Sequence, residues 1–480
     1  MNRRMVLNLT GKMIMVEAVL LLLPLSVAII YQDKSIFPFI ITIAIALVIG
    51  SACTLISKPD NHTIYAKEGF VIVAIVWLAM SAIGALPFYI SGEIPSYIDC
   101  FFETVSGFTT TGASILTDIE SLSKGLLFWR SFTHWIGGMG VLVFVLAIIP
   151  GTSDRSIHLL RAEVPGPIVG KLVPKIKETA KILYLIYIVM TVVEIIFLLL
   201  GGMPLYDSTV HAFGTAGTGG FGIKADSIAG YNPYLQWVIA IFMLLFALNF
   251  NIFYLAITRH FKAIFKSGEL WGFITVVAIS ITVITCNIYP MYENFSTALR
   301  NAAFQTSSII STTGYATADF NLWPGLSKAI LFLLMFFGGC AGSTAGGLKM
   351  SRIIIMVKMI KREFLHMLHP RSVGVIKFEG KKVENSTLNS VANYFALYMM
   401  LFVIIFLILS FEPFDFETNI TATAACFNNV GPGLSAVGPA SNYSAYTGIS
   451  KFVLSIAMLL GRLEIYPILI ALSPSTWAKK

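Results

Sequence analysis

A chain of 480 residues that is 56% hydrophobic and only 12% charged has too little polar surface to coat a soluble globule, so it belongs in a membrane. The formal charge of +8 points to basic loops beside membrane spans rather than to nucleic acid, because the basic residues fall between apolar stretches. Five cysteines (Cys53, Cys100, Cys286, Cys340, Cys426) stand singly, which indicates packing residues and neither a metal pair nor a disulfide framework.

Apolar stretches of bilayer-crossing length, about 20 residues, fall at 13–31, 36–56, 69–90, 125–149, 180–202, 234–258, 269–288, 326–358, 391–411 and 449–472. They predict ten spans. The N-terminal MNRRMVLNLTGK lacks a small-residue cleavage site, so the first apolar run reads as a retained span. After the third, fifth, seventh and ninth spans come shorter, more polar segments, Ser96–Phe108, Tyr206–Ala216, Phe295–Ile310 and Phe416–Phe427, with Asp99, Asp207, Ser296 and Glu417 as helix-start residues. Their length suits re-entrant helices, the alternative being amphipathic helices on the surface.

Each short segment runs into a glycine stretch: TTTGAS at Thr109, GTGGFG at Gly217, STTGYAT at Ser311 and NNVGPG at Asn428. A recurrence of roughly a hundred residues marks an internal repeat. The chain divides into two N-terminal helices (1–60) and four pore repeats (61–150, 151–260, 261–382 and 383–480). The expected fold is an all-α integral membrane protein, ten transmembrane helices with four re-entrant pore helices, its four pseudo-repeats set around a central pore.

Twenty-five basic residues fall on one side of this topology: Arg3, Arg4, Lys12, Lys58, Lys67, Arg155, Arg161, Lys171, Lys175, Lys177, Lys181, Arg259, Lys262, Lys266, nine from Lys349 to Lys382, Lys479 and Lys480. Only six lie opposite: Lys34, Lys124, Lys224, Arg300, Lys328 and Lys451. The positive-inside rule then places both termini in the cytoplasm. The glycine stretches open outward, where Glu93, Asp99, Asp118, Glu120, Glu412, Asp415 and Glu417 concentrate cations.

Irregular backbone at membrane depth is tolerated only inside protein or along a watery cavity, so four such stretches imply a cavity. Rings of carbonyls replace an ion's hydration shell, and glycine permits the backbone angles that turn them inward. The short helices aim their C-terminal partial negative charge at the same point. Each effect favours a cation. The candidate filter comprises Thr110, Thr111, Gly112, Thr218, Gly219, Gly220, Thr313, Gly314, Asn429, Val430 and Gly431. The ion is expected on the backbone carbonyls of Thr111, Gly112, Gly219, Gly220, Thr313, Gly314, Val430 and Gly431. In the second repeat, TGG leaves either Gly219 or Gly220 as the filter glycine.

In order along the chain, SGFTTTGAS from Ser106, TGGFG from Thr218, STTGYAT from Ser311, FFGGCAGSTAGGLK from Phe336, NNVGPGLS from Asn428 and GRLEIYP from Gly461 resemble the TrkH/KtrB superfamily of potassium transporters, and within it the TrkH/TrkG branch. The resemblance covers nearly the whole chain. It implies a channel-like potassium-uptake subunit of a bacterial inner membrane, a homodimer on which a cytoplasmic TrkA-type nucleotide-binding regulatory ring assembles. Potassium is then the transported ligand, and this chain itself binds no nucleotide. None of the four stretches reads TVGYG.

The run Gly338 to Gly347 interrupts the second span of the third repeat. Gly338, Gly342 and Gly346 form a small-residue stripe that suits tight helix packing. With Gly339, Ser343, Thr344 and Gly347 added, a continuous helix becomes costly, at about 1 kcal/mol per glycine, which favours an unwound loop. The resemblance implies a loop that obstructs the pore until it moves. Arg462, inside the last span, either faces the pore as a barrier to cations, as the resemblance implies, or pairs with Glu464 or a loop carbonyl. Asn249, Asn251 and HWIGGMG (His134 to Gly140) read as helix breaks or packing contacts, and Glu17 and Glu194 as bonds between neighbouring helices.

Enzyme motifs are missing: GSTAGGLK lacks the Gly-Lys-Ser/Thr of a nucleotide loop, no HExxH occurs, and His366 and His369 have no metal-ligand companions. The competing transport reading is a symporter that couples potassium to a proton or sodium ion.

Overall fold

The computed structural model describes residues 1–57, 65–140, 176–372 and 374–478, and they are mostly helical. Helices α1 (Arg3–Leu20) and α2 (Leu22–Tyr31) form one 29-residue span, and α3 (Ile36–Ile56) returns beside it. The first helix starts ten residues before the apolar run expected at 13. Asn2 caps it by accepting the Met5 N–H (3.1 Å), and Met5, Val6, Asn8 and Gly11 are buried, so packing overrides the local polarity. At the contact with α3, a side-chain carbon on Gly11 would lie 2.8 Å from the Gly50 carbonyl, and one on Gly50 2.9 Å from that of Gly11. The two backbones touch there through glycine.

The chain continues with α4 (Ala66–Gly84), α5 (Leu86–Ser91), α6 (Tyr97–Phe108), α7 (Lys124–Gly138), α8 (Ile176–Leu200), α9 (Leu205–Gly217), α10 (Pro233–Phe246), α11 (Phe250–Ile257) and α12 (Phe261–Phe265). The second half holds α13 (Gly268–Ile288), α14 (Phe295–Ile310), α15 (Gly325–Phe337), α16 (Met350–Leu368), a hairpin of β1 (Lys377–Phe378) and β2 (Lys381–Lys382), α17 (Asn385–Leu409), α18 (Phe416–Phe427), α19 (Gly448–Arg462), α20 (Tyr466–Leu472) and α21 (Pro474–Trp477). The hairpin is antiparallel, with Lys377 opposite Lys382.

Among the described residues, six helical stretches are long and apolar enough to cross a bilayer: Arg3–Tyr31, Ile36–Ile56, Lys67–Ser91, Ala180–Leu200, Gly268–Met291 and Asn385–Leu409. Three of the long apolar stretches are broken, two of them where the sequence offers a break (Asn249 and Gly338 to Gly347) and one, near Glu464, where it does not. α10 and α11 meet at 93°, where the Asn249 side chain accepts the Asn251 N–H (3.0 Å) and starts a new helix. α19 and α20 meet at 120°, with Glu464 and Ile465 left-handed (φ +56° and +67°) and Pro467 in the first turn beyond. The stretch at 326–358 is helical only up to Phe337 and from Met350 onward. Of the stretch at 125–149, residues 141–149 lie outside the described residues, as do Lys58, Arg155, Arg161, Lys171, Lys175, Lys479 and Lys480.

The four short helices α6, α9, α14 and α18 stand within a residue or so of their expected bounds and are buried in the bundle, Ala424, Ala425 and Cys426 completely, which excludes a position on the surface. Asp415, rather than the expected Glu417, caps α18, accepting the Thr418 N–H (3.3 Å); the other three have no side-chain cap. Asp99, Asp207 and Glu417 sit in the first turns, where the helix dipole favours them. Asp99 pairs with Lys451 (2.7 Å) and Glu417 with Lys328 (3.3 Å), so these two acids carry less uncompensated negative charge than their sequence positions suggest.

Replacing Gly50 by leucine is expected to force α1 from α3 and destabilise the protein by about 1–3 kcal/mol, the usual cost of overpacking. A thermal melt of the purified protein in detergent measures it; an unchanged melt would show that the two backbones do not touch.

Candidate functional site

The four short helices end alike. Behind α6, the Thr110 N–H bonds the Gly107 carbonyl (3.1 Å) and the Thr111 N–H that of Ser106 (2.9 Å). The same two bonds recur behind α9 from Thr218 (3.0 Å) and Gly219 (2.8 Å), behind α14 from Thr312 (3.1 Å) and Thr313 (2.8 Å), and behind α18 from Asn429 (3.3 Å) and Val430 (2.8 Å). This is a Schellman closure, which requires a left-handed residue at its first position. Thr110 (φ +55°), Thr218 (+56°), Thr312 (+58°) and Asn429 (+56°) fill it. A β-branched residue there costs roughly 1–2 kcal/mol, strain that the surrounding protein must hold in place.

Two residues further on, Gly112 (φ +80°), Gly220 (+75°), Gly314 (+87°) and Gly431 (+97°) are left-handed as well. Gly220 is therefore the counterpart of the other three, and Gly219 stands where Thr111, Thr313 and Val430 stand. Thr312 completes the set although it is not among the candidate filter residues; its signal is its place before the Thr-Gly pair, like that of Thr110 in TTTG.

These strands close a ring. A side-chain carbon added to Gly112 would lie 2.0 Å from the Gly219 carbonyl oxygen, one on Gly220 2.0 Å from that of Thr313, one on Gly314 2.4 Å from that of Val430, and one on Gly431 2.5 Å from that of Thr111. Contacts running first to second, second to third, third to fourth and fourth to first put all four carbonyls around one axis. Thr111, Gly219, Thr313 and Val430 are buried, and among the described residues none of their carbonyls accepts a hydrogen bond. A buried main-chain oxygen without a partner is rare. Four at one level can replace the hydration shell of a cation.

Braces behind the ring hold its outward strands. The Glu103 carboxylate on α6 accepts from Ser114 Oγ and the Ile115 N–H (both 3.0 Å) and pairs with Arg130 on α7 (2.5 Å). Arg130 in turn donates to the Gly222 carbonyl (3.0 Å) and lies 3.6 Å over the Phe221 ring, which ties the first repeat to the second. The Tyr315 hydroxyl donates to the Phe221 carbonyl (3.2 Å), the Tyr443 hydroxyl to that of Gly431 (2.8 Å), and the Tyr443 N–H to that of Ser114 (2.8 Å). All four ring glycines line a single cavity of ≈ 130 Å³ together with Ser114, Ser441 and Tyr443. At the outer end of α18, the Thr418 hydroxyl bonded to Asp415 holds that carboxyl below the usual range.

On the other side of the ring lies the non-helical run from Gly338 to Lys349. The Gly346 N–H bonds Thr312 Oγ1 (2.7 Å) and the Gly347 N–H the Asn428 carbonyl (3.1 Å), so the run touches the third and fourth repeats at the ring itself. Against the second repeat, the Cys340 N–H bonds the Ala247 carbonyl (2.9 Å), Thr344 Oγ1 that of Phe246 (3.2 Å), and the Phe250 N–H that of Gly342 (3.3 Å). Gly338, Gly342 and Gly347 are left-handed, Ser343 Oγ bonds the Cys340 carbonyl (2.7 Å), and Gly339 packs against Ala345, so the run is an unwound, internally bonded loop. Arg462 completes the circuit, donating to the Thr344 carbonyl (2.7 Å) and, in the first repeat, to those of Gly137 (2.5 Å) and Gly138 (2.7 Å). Glu464 instead pairs with Arg352 (2.6 Å). The loop is thus bonded directly to the second, third and fourth repeats and, through Arg462, to the first. Glu269, which accepts the Ala341 N–H (2.7 Å), and Lys349, which donates to the Ala345 carbonyl, also hold the loop. In sequence they look like ordinary span flanks.

A family model described as TrkH, cation transport protein, matches residues 35–479. This chain belongs to the TrkH family. Its members are transport proteins, not enzymes. The chain is 35% identical to the Trk system potassium uptake protein TrkG of Escherichia coli (strain K12), over 99% of this chain and 98% of that protein. It is 34% identical to TrkH of Vibrio parahaemolyticus over 99% of this chain and 100% of that one. The crystal structure of the potassium transporter TrkH from Vibrio parahaemolyticus superimposes with a TM-score of 0.90 at 32% identity, covering 100% of both chains. The chain shares this family's multi-pass helical membrane fold.

Glu103→Gln leaves the Arg130 guanidinium buried without its counter-charge and is expected to destabilise the protein by about 3–5 kcal/mol. The double variant E103Q/R130M should recover much of that loss in thermal melts; equal melts for the single and double variants would remove the pair from the bracing.

Proposed function

We propose that this protein conducts potassium ions inward across a bacterial inner membrane, as the channel-like subunit of an uptake system. The observation that carries the reading is the closed ring of four buried carbonyls from Thr111, Gly219, Thr313 and Val430 with no hydrogen bond among the described residues. Replacing water by carbonyl oxygens suits a monovalent cation. The relatives reported above are potassium uptake and transport proteins, which supports potassium as the ion.

In this reading the chain has ten spans, with α6, α9, α14 and α18 as re-entrant pore helices in four repeats (61–150, 151–260, 261–382, 383–480) after two N-terminal helices (1–60), and both termini lie in the cytoplasm. Thr110, Thr111, Gly112, Thr218, Gly219, Gly220, Thr313, Gly314, Asn429, Val430 and Gly431 form the selectivity filter, joined by Thr312. The loop with Gly338, Gly339, Gly342, Ser343, Thr344, Gly346 and Gly347 is the gate, and Arg462 its latch: the same guanidinium holds the loop's Thr344 and the end of α7. The protein works as a homodimer, and a cytoplasmic nucleotide-binding ring of the TrkA type moves the gate through α16, which continues directly from the loop.

The test is ion flux into liposomes holding purified protein, with potassium, rubidium and sodium compared side by side. Potassium and rubidium should pass in preference to sodium and follow their own gradients; uptake that instead responds to an imposed proton or sodium gradient would establish a coupled symporter. Gly314→Ser is expected to reduce the preference for potassium over sodium about tenfold, ~1.4 kcal/mol, in a folded protein, and an unchanged preference refutes the filter. Shortening the loop within Gly338 to Gly347 should raise basal flux severalfold without the partner. A folded deletion with no such gain removes the gate assignment.

A further inference from the structure

The second repeat differs from the other three at the residue that supplies its ring carbonyl: Gly219 stands where Thr111, Thr313 and Val430 carry side chains. The backbone does not demand glycine there, since Gly219 is not left-handed. What excludes a side chain is His134. A carbon added at Gly219 would lie 2.3 Å from Cγ and Nδ1 and 2.5 Å from Cδ2 of that imidazole, which comes from α7 of the preceding repeat.

His134 is completely buried, and both ring nitrogens are engaged. Nδ1 lies 2.7 Å from the Gly107 carbonyl at the end of α6, and Nε2 accepts the Phe221 N–H (3.2 Å) on the strand that leaves the ring. A carbonyl only accepts and an amide N–H only donates, so the proton sits on Nδ1, the lone pair on Nε2, and the ring is neutral. The imidazole also stacks on Phe221, with centroids 4.2 Å apart. In the first and third repeats this bracing comes from hydroxyl pairs on the strand itself, Thr111 with Thr109 (2.8 Å) and Thr313 with Ser311 (2.7 Å).

We propose that His134 is a positioning residue for the second quarter of the ring: its imidazole substitutes for the side chain missing at Gly219, spans from Gly107 to Phe221, and so sets where the Gly219 carbonyl stands and how sharply the ring distinguishes cations. The inference rests on the reading of the ring as an ion filter. A merely structural histidine would affect stability alone; this one affects ion preference and is replaceable by a side chain at 219.

The test uses full-length protein in liposomes and compares potassium with sodium uptake for His134→Ala, Gly219→Thr, the double variant H134A/G219T, and Gly314→Ser as reference. His134→Ala should lower the preference for potassium about tenfold. Gly219→Thr, whose side chain meets the imidazole, should also lower it, and the double variant should return toward the native preference because the new side chain occupies the vacated space. Preference at the native value in folded H134A, or losses that simply multiply in the double variant, would overturn the proposal. Should H134A fail to fold, the double variant decides alone: native-like preference supports the substitution and lost preference overturns it. Native preference in Gly314→Ser would instead bring down the filter reading itself, and the proposal with it.

Discussion

Bare main-chain oxygens cannot stand inside a membrane-embedded protein unless something takes the place of water around them, and the rest of this structure follows from meeting that condition four times at one level. Each short helix must stop at the ring, which the Schellman closures accomplish by turning the chain at Thr110, Thr218, Thr312 and Asn429. Each strand must then pass within contact of the next, which only glycine at 112, 220, 314 and 431 allows. The strands would splay under mutual repulsion of their carbonyls, and the Glu103–Arg130 pair, Tyr315 and Tyr443 tie them to neighbouring repeats. An ion pair this deeply buried is a poor source of net stability but a strict determinant of geometry, because either charge left alone is costly.

The loop beneath is not independent of the ring above it. Thr312 holds a strained conformation, and its hydroxyl receives the Gly346 N–H. Asn428, next to the strained Asn429, receives that of Gly347. Displacing the loop would remove bonds from the third and fourth repeats at the ring, so the position of the one is tied to the geometry of the other. Arg462 adds a second link, since three backbone carbonyls from two repeats converge on one guanidinium.

Much of this was legible in the residues because membrane proteins write their architecture in hydrophobic length. The bounds of α14 and α18 could be read directly, and α6 and α9 to within a residue, since each is an apolar run too short to span and bounded by turn signals. The break at 247–249 was offered by Asn249, beside a packing role, whereas that at 463–465 depends on a left-handed isoleucine inside an otherwise apolar run that gives no sign of it. The early start of α1 reflects packing on α3, which no local pattern reports. At the site, the glycine stretches announce themselves by recurrence. Which of Gly219 and Gly220 matches the others is decided by backbone angles that the two glycines do not announce, the role of Glu269 by a bond across 72 residues to Ala341, and that of Lys349 by a turn back to Ala345 that only the unwound loop allows.

Building all four strands from one polypeptide has an evolutionary consequence. In an assembly of identical subunits every coding change is stamped on each side of the axis at once, so a mild alteration is multiplied by the symmetry. Here a mutation reaches one side only: the difference between Thr111 and Val430, or between a hydroxyl pair and an imidazole, is free to arise and persist in a single quadrant while three others remain as they were. Drift and fine adjustment thereby become possible in steps a quarter the size.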